Sequence, residues 1–317
     1  MIFLINDIES RLSDEMANPE ELKKLYDQGK NISAHLREVK GLTKNTSDII
    51  EQSYDLQSGS YSSAMDSQSM QKHKQAYSAE VADVIRSVCN PQTVLEAGVG
   101  EATTLSGVIA GLGDQPDFYG FDLCWSRVAY ARKWLQSNQH NGVQLCMGDL
   151  FQIPLADDSV DVVYTSHSIE PNGGKELPLL AELYRVAKKY LILIEPGYEL
   201  ASSEARERME QHGYCQNLVG FSEDLGYEVL DHWMLGAVAN PMNPSAVTII
   251  RKNGEHHQAG LTWVCPKYKT ALLKKGNVLF SKSSPLVYPI IGGVPCLREE
   301  QGVLAGKFQE FMDQQGP

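Results

Sequence analysis

VLEAGVGEATT (residues 94–104) is the stretch that decides the fold of this 317-residue chain. An apolar run includes the acidic residue Glu96 and then passes through two glycines, Gly98 and Gly100, into a helix-like segment. Glycine lets the backbone turn tightly and approach a ligand without a Cβ in the way, and the first turn of a helix offers unpaired N–H groups. The pattern therefore predicts a buried strand, a ligand-binding turn and a helix.

Outward from this turn, apolar runs alternate with amphipathic segments. The predicted strands are residues 93–97, 117–122, 143–148, 160–165, 190–195, 227–235 and 246–251. Helical patterns between the first six predict repeated strand–helix–strand units and a parallel sheet. The last connection is short and holds two prolines, so the last two strands should form a hairpin and the seventh should run antiparallel. The predicted fold class is α/β, a doubly wound seven-stranded mixed sheet of Rossmann-like type.

Two further segments flank the predicted sheet. The first is polar, with apolar residues such as Ile8, Leu12 and Met16 at helical spacing; its Ser-rich part, 53–71, predicts a loop or lid, and a helix is expected at 78–88. The last begins with a polar linker at 253–259, has strand-like runs at 261–265, 278–281 and 286–290, and ends in a predicted helix at 301–312. The predicted domains are a helical cap (1–76), an α/β domain (77–252) and a small α+β domain (253–317).

Composition narrows the class of protein. The chain has 28 Lys plus Arg against 40 Asp plus Glu, a net charge of −12, which disfavours binding to nucleic acid or to an anionic membrane. No apolar run approaches the roughly 18 residues of a membrane span, and the opening MIFLI is too short and lacks the basic flank of a signal peptide. Six scattered cysteines indicate a reducing compartment. A cytoplasmic protein is expected.

Acidic residues also end the strands that follow the glycine turn. Asp122 ends the second strand, and Asp149 follows the third. The carboxyl ends of parallel strands form the ligand-binding edge of such sheets, so Glu96, Asp122 and Asp149 are expected to lie together. A carboxylate at the second strand end suits a ribose diol, and one at the third suits an adenine amino group.

Two cofactors compete for this edge, and a turn with a purely structural role is a third alternative. The dinucleotide fingerprint requires glycine where this chain has Thr103, and the carboxylate of Glu96 would repel a pyrophosphate. S-adenosylmethionine carries an ammonium and a sulfonium, which the same carboxylate would attract. The acids taken together favour S-adenosylmethionine over NAD.

The ordered motifs resemble those of class I S-adenosylmethionine-dependent methyltransferases over about residues 77–251. The matching motifs are EAGVG (96–100), Asp122, GDL (148–150) with IPL (153–155), and DDSVDVVY (157–164). Ala102 departs from the third glycine of many members. The resemblance implies these cofactor-binding residues: Glu96, Gly98 and Gly100 at the methionine end, Asp122 and Leu123 at the ribose, Asp149 and Leu150 at the adenine, and Ser166 at the end of the fourth strand.

The methyl acceptor is expected at the ends of strands four to six. His167 is the candidate general base, because imidazole titrates near neutrality, and Glu170 would orient it or contact the acceptor; the alternative is a histidine that packs beneath the cofactor. The expected substrate-binding residues follow strand five or lie in the last hairpin: Glu195, Tyr198, Asn240 and Asn243. The two amides suit a polyhydroxylated acceptor, although Asn-Pro pairs also shape turns. The rings of Tyr54 and Tyr61 would either face the sulfonium or pack within the cap.

The acidic charge and the absence of an Asn/Asp-Pro-Pro-Tyr/Phe run favour a small-molecule acceptor over nucleic acid or a glutamine side chain. We expect O- or N-methylation of a polar small molecule, such as a sugar or nucleotide sugar. The alternatives are an RNA or protein methyltransferase, for which a basic patch would argue (Lys267, Lys269, Lys274, Lys275 and Lys282), and a non-catalytic scaffold that binds the cofactor. The sequence leaves a homodimer open.

The tail resembles the small Trm112-like domain, because it carries YPIIGGVP at 288–295. Zinc-bearing members have two pairs of cysteines, whereas the corresponding positions here are Cys265, Tyr268, Ser281 and Ser284. A single thiolate does not build a four-ligand zinc site, and hydroxyls are poor zinc ligands. The resemblance therefore implies a metal-free domain that acts as a built-in scaffold or lid, or a vestige.

Overall fold

The computed structural model describes residues 18–113, 116–253 and 261–314. The helix positions Ile8, Leu12 and Met16 and most of the polar linker at 253–259 lie outside these residues. All six cysteines lie within them and are free thiols. None of the helices in the described residues combines the length and hydropathy that a bilayer span requires.

A seven-stranded sheet forms the centre of the molecule. Its strands are β1 Thr93–Ala97, β2 Asp117–Asp122, β3 Gln144–Met147, β4 Val160–Ser166, β5 Ala187–Pro196, β6 Glu228–Met234 and β7 Ser245–Arg251. Their order is β3-β2-β1-β4-β5-β7-β6, and β7 runs antiparallel to both of its neighbours. The predicted α/β class, the mixed sheet and the reversed seventh strand are confirmed. Because the order reverses beside β1, the ends of β1 and β4 open a crevice for a ligand.

Helices pack on both faces of this sheet. In chain order they are α1 Pro19–Asp27, α2 Ile32–Val39, α3 Ser47–Leu56, α4 Ser60–Ala64, α5 Gln68–Val88, α6 Thr103–Leu112, α7 Trp125–Ser137, α8 Glu176–Val186, α9 Ser203–His212, α10 Leu218–Asp224 and α11 Phe308–Gln314. On one face α5, α6 and α7 bury apolar side chains such as Val81, Leu105 and Val128. On the other face α8 and α10 bury Leu183 and Leu218. Both faces of the central strands are therefore buried, which explains their nearly continuous apolar sequence.

Several local predictions were wrong. The Ser-rich segment 53–71 is mostly helical, in α3, α4 and the start of α5, rather than a loop. The predicted pattern between the third and fourth strands forms no helix; instead the loop buries Ile153 and Leu155 in the core. Residues 301–312 contain the short strand β12, Val303–Leu304, before α11 begins. In each case contacts distant in sequence override the local pattern.

The small C-terminal domain covers the β3 edge of the central sheet. Its own strands are β8 Leu273–Lys275, β9 Val278–Phe280, β10 Leu286–Ile291, β11 Val294–Pro295 and β12. The predicted run at 261–265 supplies only an isolated bridge. The Leu297 amide donates to the Met147 carbonyl at 2.8 Å, so the domain occupies an edge that would otherwise expose unpaired backbone groups. Arg298 of the same segment pairs with Glu51 of α3 at 2.5 Å and thereby links this domain to the N-terminal helices.

The N-terminal helices attach to the glycine turn through Glu101. Its buried carboxylate accepts the amides of Gly59 (2.9 Å), Tyr61 (3.4 Å) and Ser62 (2.7 Å) at the start of α4. These amides would otherwise lack partners, because the first turn of a helix has none of its own. The residue that follows Gly100 therefore joins the N-terminal helices to the glycine turn.

Replacing Glu101 with glutamine should loosen this attachment by about 1–3 kcal/mol, since a charged acceptor of several amides is lost. Amide hydrogen exchange should then accelerate at 59–62. Glu80→Gln is the matched control, because Glu80 accepts the amides of Gly236 and Ala237 in the same manner and should free only those. Unchanged exchange at 59–62 in Glu101→Gln would contradict the assignment.

Candidate active site

A cavity of about 340 Å³ lies at the carboxyl ends of β1 to β4, beneath the N-terminal helices. This volume is typical of a small-molecule site. Every predicted cofactor-binding residue lines it: Glu96, Gly98, Gly100, Asp122, Leu123, Asp149, Leu150 and Ser166. The structure also brings four of the predicted acceptor-side residues to the same cavity: His167, Glu170, Asn240 and Asn243.

The glycine turn has the shape that the sequence predicts. Gly98 and Gly100 have φ of 78° and 54°, a region that favours glycine. The amides of Gly98 and Val99 both donate to the Phe121 carbonyl, at 2.9 and 2.8 Å. A Cβ on Gly98 would lie 2.2 Å from the Cβ of Ser168, so glycine is required here for packing as well as for conformation.

Asp122 connects the glycine turn to the second strand end. One carboxylate oxygen accepts the Gly100 amide at 2.9 Å, and the other accepts the Cys124 amide at 3.0 Å. Each carboxylate oxygen retains a further lone pair, so the group can still accept hydrogen bonds from a diol in the cavity. At the third strand end the Asp149 carboxylate accepts the Phe151 amide at 2.9 Å.

Glu96 ends β1 almost completely buried, and Tyr164 donates its hydroxyl to it at 2.9 Å. Burial raises the pKa of Glu96 to about 8, although Tyr164 and the nearby ammonium of Lys74 oppose this shift. Burial therefore favours the protonated form of this group, even beside the ammonium of Lys74. A bound cation would favour its ionised form.

His167 and Glu170 form a hydrogen-bonded pair at the end of β4. His167 Nδ1 contacts a Glu170 carboxylate oxygen, and His167 Nε2 lies 2.6 Å from the Ser245 hydroxyl. The same oxygen of Glu170 accepts the Asn243 side-chain amide at 3.3 Å. His167 has a φ of 55°, which is uncommon for a residue with a side chain. The backbone strain is typical of a functional position.

The charges of this pair shift each other's pKa. Burial lowers the pKa of His167, but the neighbouring Glu170 carboxylate outweighs it, and the net pKa lies above the ordinary value. Burial raises the pKa of Glu170, but the imidazolium together with hydrogen bonds from Tyr214 and Asn243 holds the net pKa below its ordinary value. A His–carboxylate pair of this kind fixes the imidazole tautomer and stabilises its protonated form.

Two predicted substrate-binding residues do not line this cavity. Glu195 is buried behind it and accepts the amides of Ser168, Ile169 and Glu170 at 3.0–3.2 Å, so it supports the loop that carries the pair. Tyr198 is partly exposed and donates its hydroxyl to Glu210. Glu195 lies near the end of β5 and Tyr198 just after it, and this end of the strand lies beneath the loop after β4.

Several residues that line the cavity were not identified from the sequence. Lys74 and Tyr77 reach the cavity from α5, Arg127 from α7, and Ser245 from the start of β7. Helical side chains carry no local signal of which face meets a ligand, because the face depends on how the helix packs. Tyr54 and Tyr61, singled out for their rings, do line the cavity.

Comparison with known proteins agrees with this architecture. Residues 94–190 match the family model described as a methyltransferase domain. The magnesium protoporphyrin IX methyltransferase of Synechocystis PCC 6803, solved with bound S-adenosylhomocysteine, is 13% identical, with a TM-score of 0.53 over 66% of this chain and 100% of that chain. A SAM-dependent methyltransferase from Aquifex aeolicus is 24% identical, with a TM-score of 0.43 over 53% of this chain and 87% of that chain.

A third similar structure is the complex between the Haloferax volcanii Trm112 methyltransferase activator and a methyltransferase. It is 16% identical, with a TM-score of 0.42, and the match covers 53% of this chain and 84% of that chain. The chain therefore contains a methyltransferase domain with a Rossmann-like fold. By the domain that it matches, it is a methyltransferase.

Proposed function

We propose that this enzyme uses S-adenosylmethionine as its methyl donor and transfers the methyl group to an oxygen or nitrogen atom of a polar small molecule, with a sugar or nucleotide sugar as the first class to test. The observation that carries the proposal is the His167–Glu170 pair with Ser245, which faces the same cavity as the donor-binding turn. The cap helices and the 237–243 loop line the cavity opposite the sheet. A partly open cavity of this size suits a small acceptor.

The residues of the glycine turn and of the strand ends fit the donor by charge and shape. Glu96 would attract its cationic methionine end, Asp122 would accept from its ribose, and Asp149 with the Leu150 amide would recognise its adenine. The positive φ of Gly98 and of Gly100 shapes the turn that the donor would contact. When bound, the donor supplies an electrophilic methyl group; the protein positions the acceptor and excludes water.

His167 is proposed as the general base, with Nδ1 held by Glu170 and Nε2 acting through the Ser245 hydroxyl. As the new bond forms, this hydroxyl would take up the acceptor's proton and pass its own proton to Nε2. Glu170 is proposed to hold the imidazole in place and to stabilise its protonated form. Asn243 contacts Glu170 and is proposed to bind the acceptor together with Asn240, which lies further out in the same loop. Glu195 is proposed to act as a positioning residue rather than to touch the acceptor.

The charge distribution argues against a nucleic-acid acceptor. Three of the five lysines of the candidate basic patch contact carboxylates: Lys267 contacts Glu299, Lys269 contacts Glu182 and Lys275 contacts Asp313. Their positive charge is therefore largely offset, and the remaining pair does not form a broad basic surface. With the net charge of −12, this favours the small-molecule reading.

The small domain is proposed to be a Trm112-like scaffold without a metal, within domain boundaries at 1–76, 77–252 and 253–317. Ser284 donates to the Cys265 sulfur at 3.7 Å, and the Tyr268 amide donates to the same sulfur at 3.4 Å. Hydrogen bonds thus join positions that would hold a metal in zinc-bearing members. The described part of the chain has no cluster of three or more potential metal-ligating side chains.

The test is a transfer assay with radiolabelled S-adenosylmethionine and a panel of sugars, nucleotide sugars, bulk tRNA and protein extract. Label in the sugar or nucleotide-sugar fraction, dependent on His167, would support the proposal. Label in tRNA or protein alone would contradict it in favour of the macromolecular alternatives. Donor binding without turnover over the whole panel would favour the scaffold alternative.

The affinity for S-adenosylmethionine should rise with pH through Glu96. Because burial raises the pKa of this carboxyl to about 8, binding a cation at lower pH must first expel its proton. The dissociation constant should therefore fall by about tenfold per pH unit below about pH 8, by linkage.

Calorimetry between pH 6 and 8.5 measures this dependence. The donor's own amino group also titrates near pH 8, but it does so with every variant, so the difference between the wild type and Glu96→Gln isolates the carboxyl. Glu96→Gln should show a flatter profile and release fewer protons on binding. Parallel profiles for the two proteins would contradict the prediction.

A further inference from the structure

The carboxylates of the cavity already have hydrogen-bond donors, whereas one of its cations has no hydrogen-bond acceptor in the part of the chain that the structure describes. Glu96 accepts from Tyr164, Glu101 from three amides, Asp122 from two amides, Asp149 from one and Glu170 from Asn243. Lys74 donates to the Thr104 hydroxyl at 2.8 Å. Among the described residues no side chain or carbonyl accepts a hydrogen bond from Arg127, and its Nε is shielded from solvent without a partner.

The guanidinium of Arg127 lies between two aromatic rings of the cap. Its central carbon is 4.9 Å from the ring centre of Tyr54 and 4.9 Å from that of Tyr61. One of its terminal nitrogens is 2.5 Å from the place where a Cβ on Gly100 would lie, so the group rests directly on the cofactor loop. Aromatic faces stabilise the cation and fix the plane of the guanidinium group. They supply no acceptor for its N–H groups.

The two cations occupy different parts of the cavity. Lys74 lies beside Glu96 and the start of α6. This end of the cavity is expected to hold the methionine part of the donor, whose single carboxylate requires one cationic partner. Arg127 lies on the side of the cap tyrosines. Burial lowers the pKa of its guanidinium, but the charge of the nearby Asp122 carboxylate outweighs this effect and offsets part of the positive charge. The charges of Glu170 and Arg127 both act on the pKa of Tyr54, so this ring lies within electrostatic range of the His167–Glu170 pair as well.

We propose that Arg127 binds an oxyanion, carboxylate or phosphate, on the methyl acceptor, with Tyr54 and Tyr61 holding the guanidinium plane. The inference rests on the proposed function and narrows the acceptor to an anionic small molecule, such as a uronate or a sugar phosphate. A guanidinium fork binds either group through two parallel hydrogen bonds. Methyl transfer removes the positive charge of the donor's sulfonium. A fixed cation nearby would therefore continue to hold the anionic acceptor in place once that charge is lost.

The test observes Arg127 directly in the complex with S-adenosylhomocysteine. In ¹⁵N-labelled protein saturated with this product, the arginine Nε–H resonances are recorded, and the one missing in Arg127→Lys is assigned to Arg127. Sodium acetate and inorganic phosphate are then titrated separately at constant ionic strength, with chloride as the balancing anion. We expect a saturable shift of the Arg127 signal with at least one of them, and which one distinguishes a carboxylate site from a phosphate site.

Variants separate this site from the donor site. Arg127→Met should weaken oxyanion binding at least tenfold and leave the affinity for S-adenosylhomocysteine within about threefold. Arg132→Met is the matched control, since Arg132 lies on the same helix and donates to the Gly292 carbonyl, and it should change neither. The titration of wild-type protein remains decisive if Arg127→Met does not fold.

Three results would overturn the inference. The first is an Arg127 signal that neither anion shifts. The second is a loss of S-adenosylhomocysteine affinity of tenfold or more in Arg127→Met, which would assign the residue to the donor. The third is oxyanion binding that Arg127→Met leaves unchanged. Failure of wild-type protein to bind S-adenosylhomocysteine at all would instead contradict the methyltransferase function itself.

Discussion

Replacing His167 with glutamine should lower kcat by about 10²–10⁴-fold, the usual contribution of a positioned general base. Glutamine keeps hydrogen-bonding groups near Glu170 and Ser245 but accepts no proton at neutral pH. The affinity for S-adenosylmethionine should stay within about threefold, because the expected donor contacts lie with Glu96, Asp122 and Asp149. Steady-state kinetics and calorimetric donor binding measure the two quantities. His232→Gln is the matched control, since His232 contacts Thr248 on β7 and lies outside the cavity.

The pH dependence distinguishes a base from a histidine that only packs. A base acts in its neutral form, and the Glu170 carboxylate holds the pKa of His167 above its ordinary 6.5. The value of kcat/KM should therefore rise with pH through a midpoint above 6.5. Glu170→Gln removes the negative charge, so the midpoint should move to lower pH while kcat falls. A loss below tenfold in His167→Gln, with an unmoved profile in Glu170→Gln, would contradict the base assignment.

The strands and the glycine turn were predictable because their signals are local. A buried parallel strand must be apolar on both faces, so β1, β2, β4 and β5 are visible as apolar runs. An acid directly after such a run is placed by the chain itself at the carboxyl edge of the sheet. The positions of Glu96, Asp122 and Asp149 therefore followed from sequence order alone, without any knowledge of helix packing.

The cap and the cation of the cavity were not predictable in this way. Serine is a weak helix former, and the segment at 53–71 predicted a loop, but Glu101 supplies acceptors for the first amides of α4. Arg127 lies on a helix whose sequence does not mark the side that meets the ligand. Its proposed role depends on Tyr54 and Tyr61, which are more than sixty residues away in the chain. Such contacts exist only once the helices have packed.

Replacing Asp122 with alanine should weaken S-adenosylmethionine binding by about 10²–10⁴-fold. Two carboxylate hydrogen bonds to the donor's ribose would be lost, each contributing about 1.5–3 kcal/mol. The variant also leaves the amides of Gly100 and Cys124 without their acceptor, so the glycine turn loses the group that fixes its shape. Calorimetry or fluorescence titration measures the dissociation constant.

The size of this effect depends on Asp122 organising both the turn and the ligand, and two further variants separate these roles. Asp122→Asn keeps one acceptor oxygen for a turn amide but presents an N–H₂ group to the other, so it should bind the donor between wild type and alanine. Asp117→Asn lies on the same strand at its exposed, opposite end and should bind like wild type. Thermal melts of the donor-free proteins show whether the fold survives.

An alanine variant that melts normally and binds the donor within threefold of wild type would show that this strand end does not hold the ribose. The donor would then have to lie elsewhere along the sheet edge, where Asp149 and the Leu150 amide are the remaining polar groups suited to an adenosine.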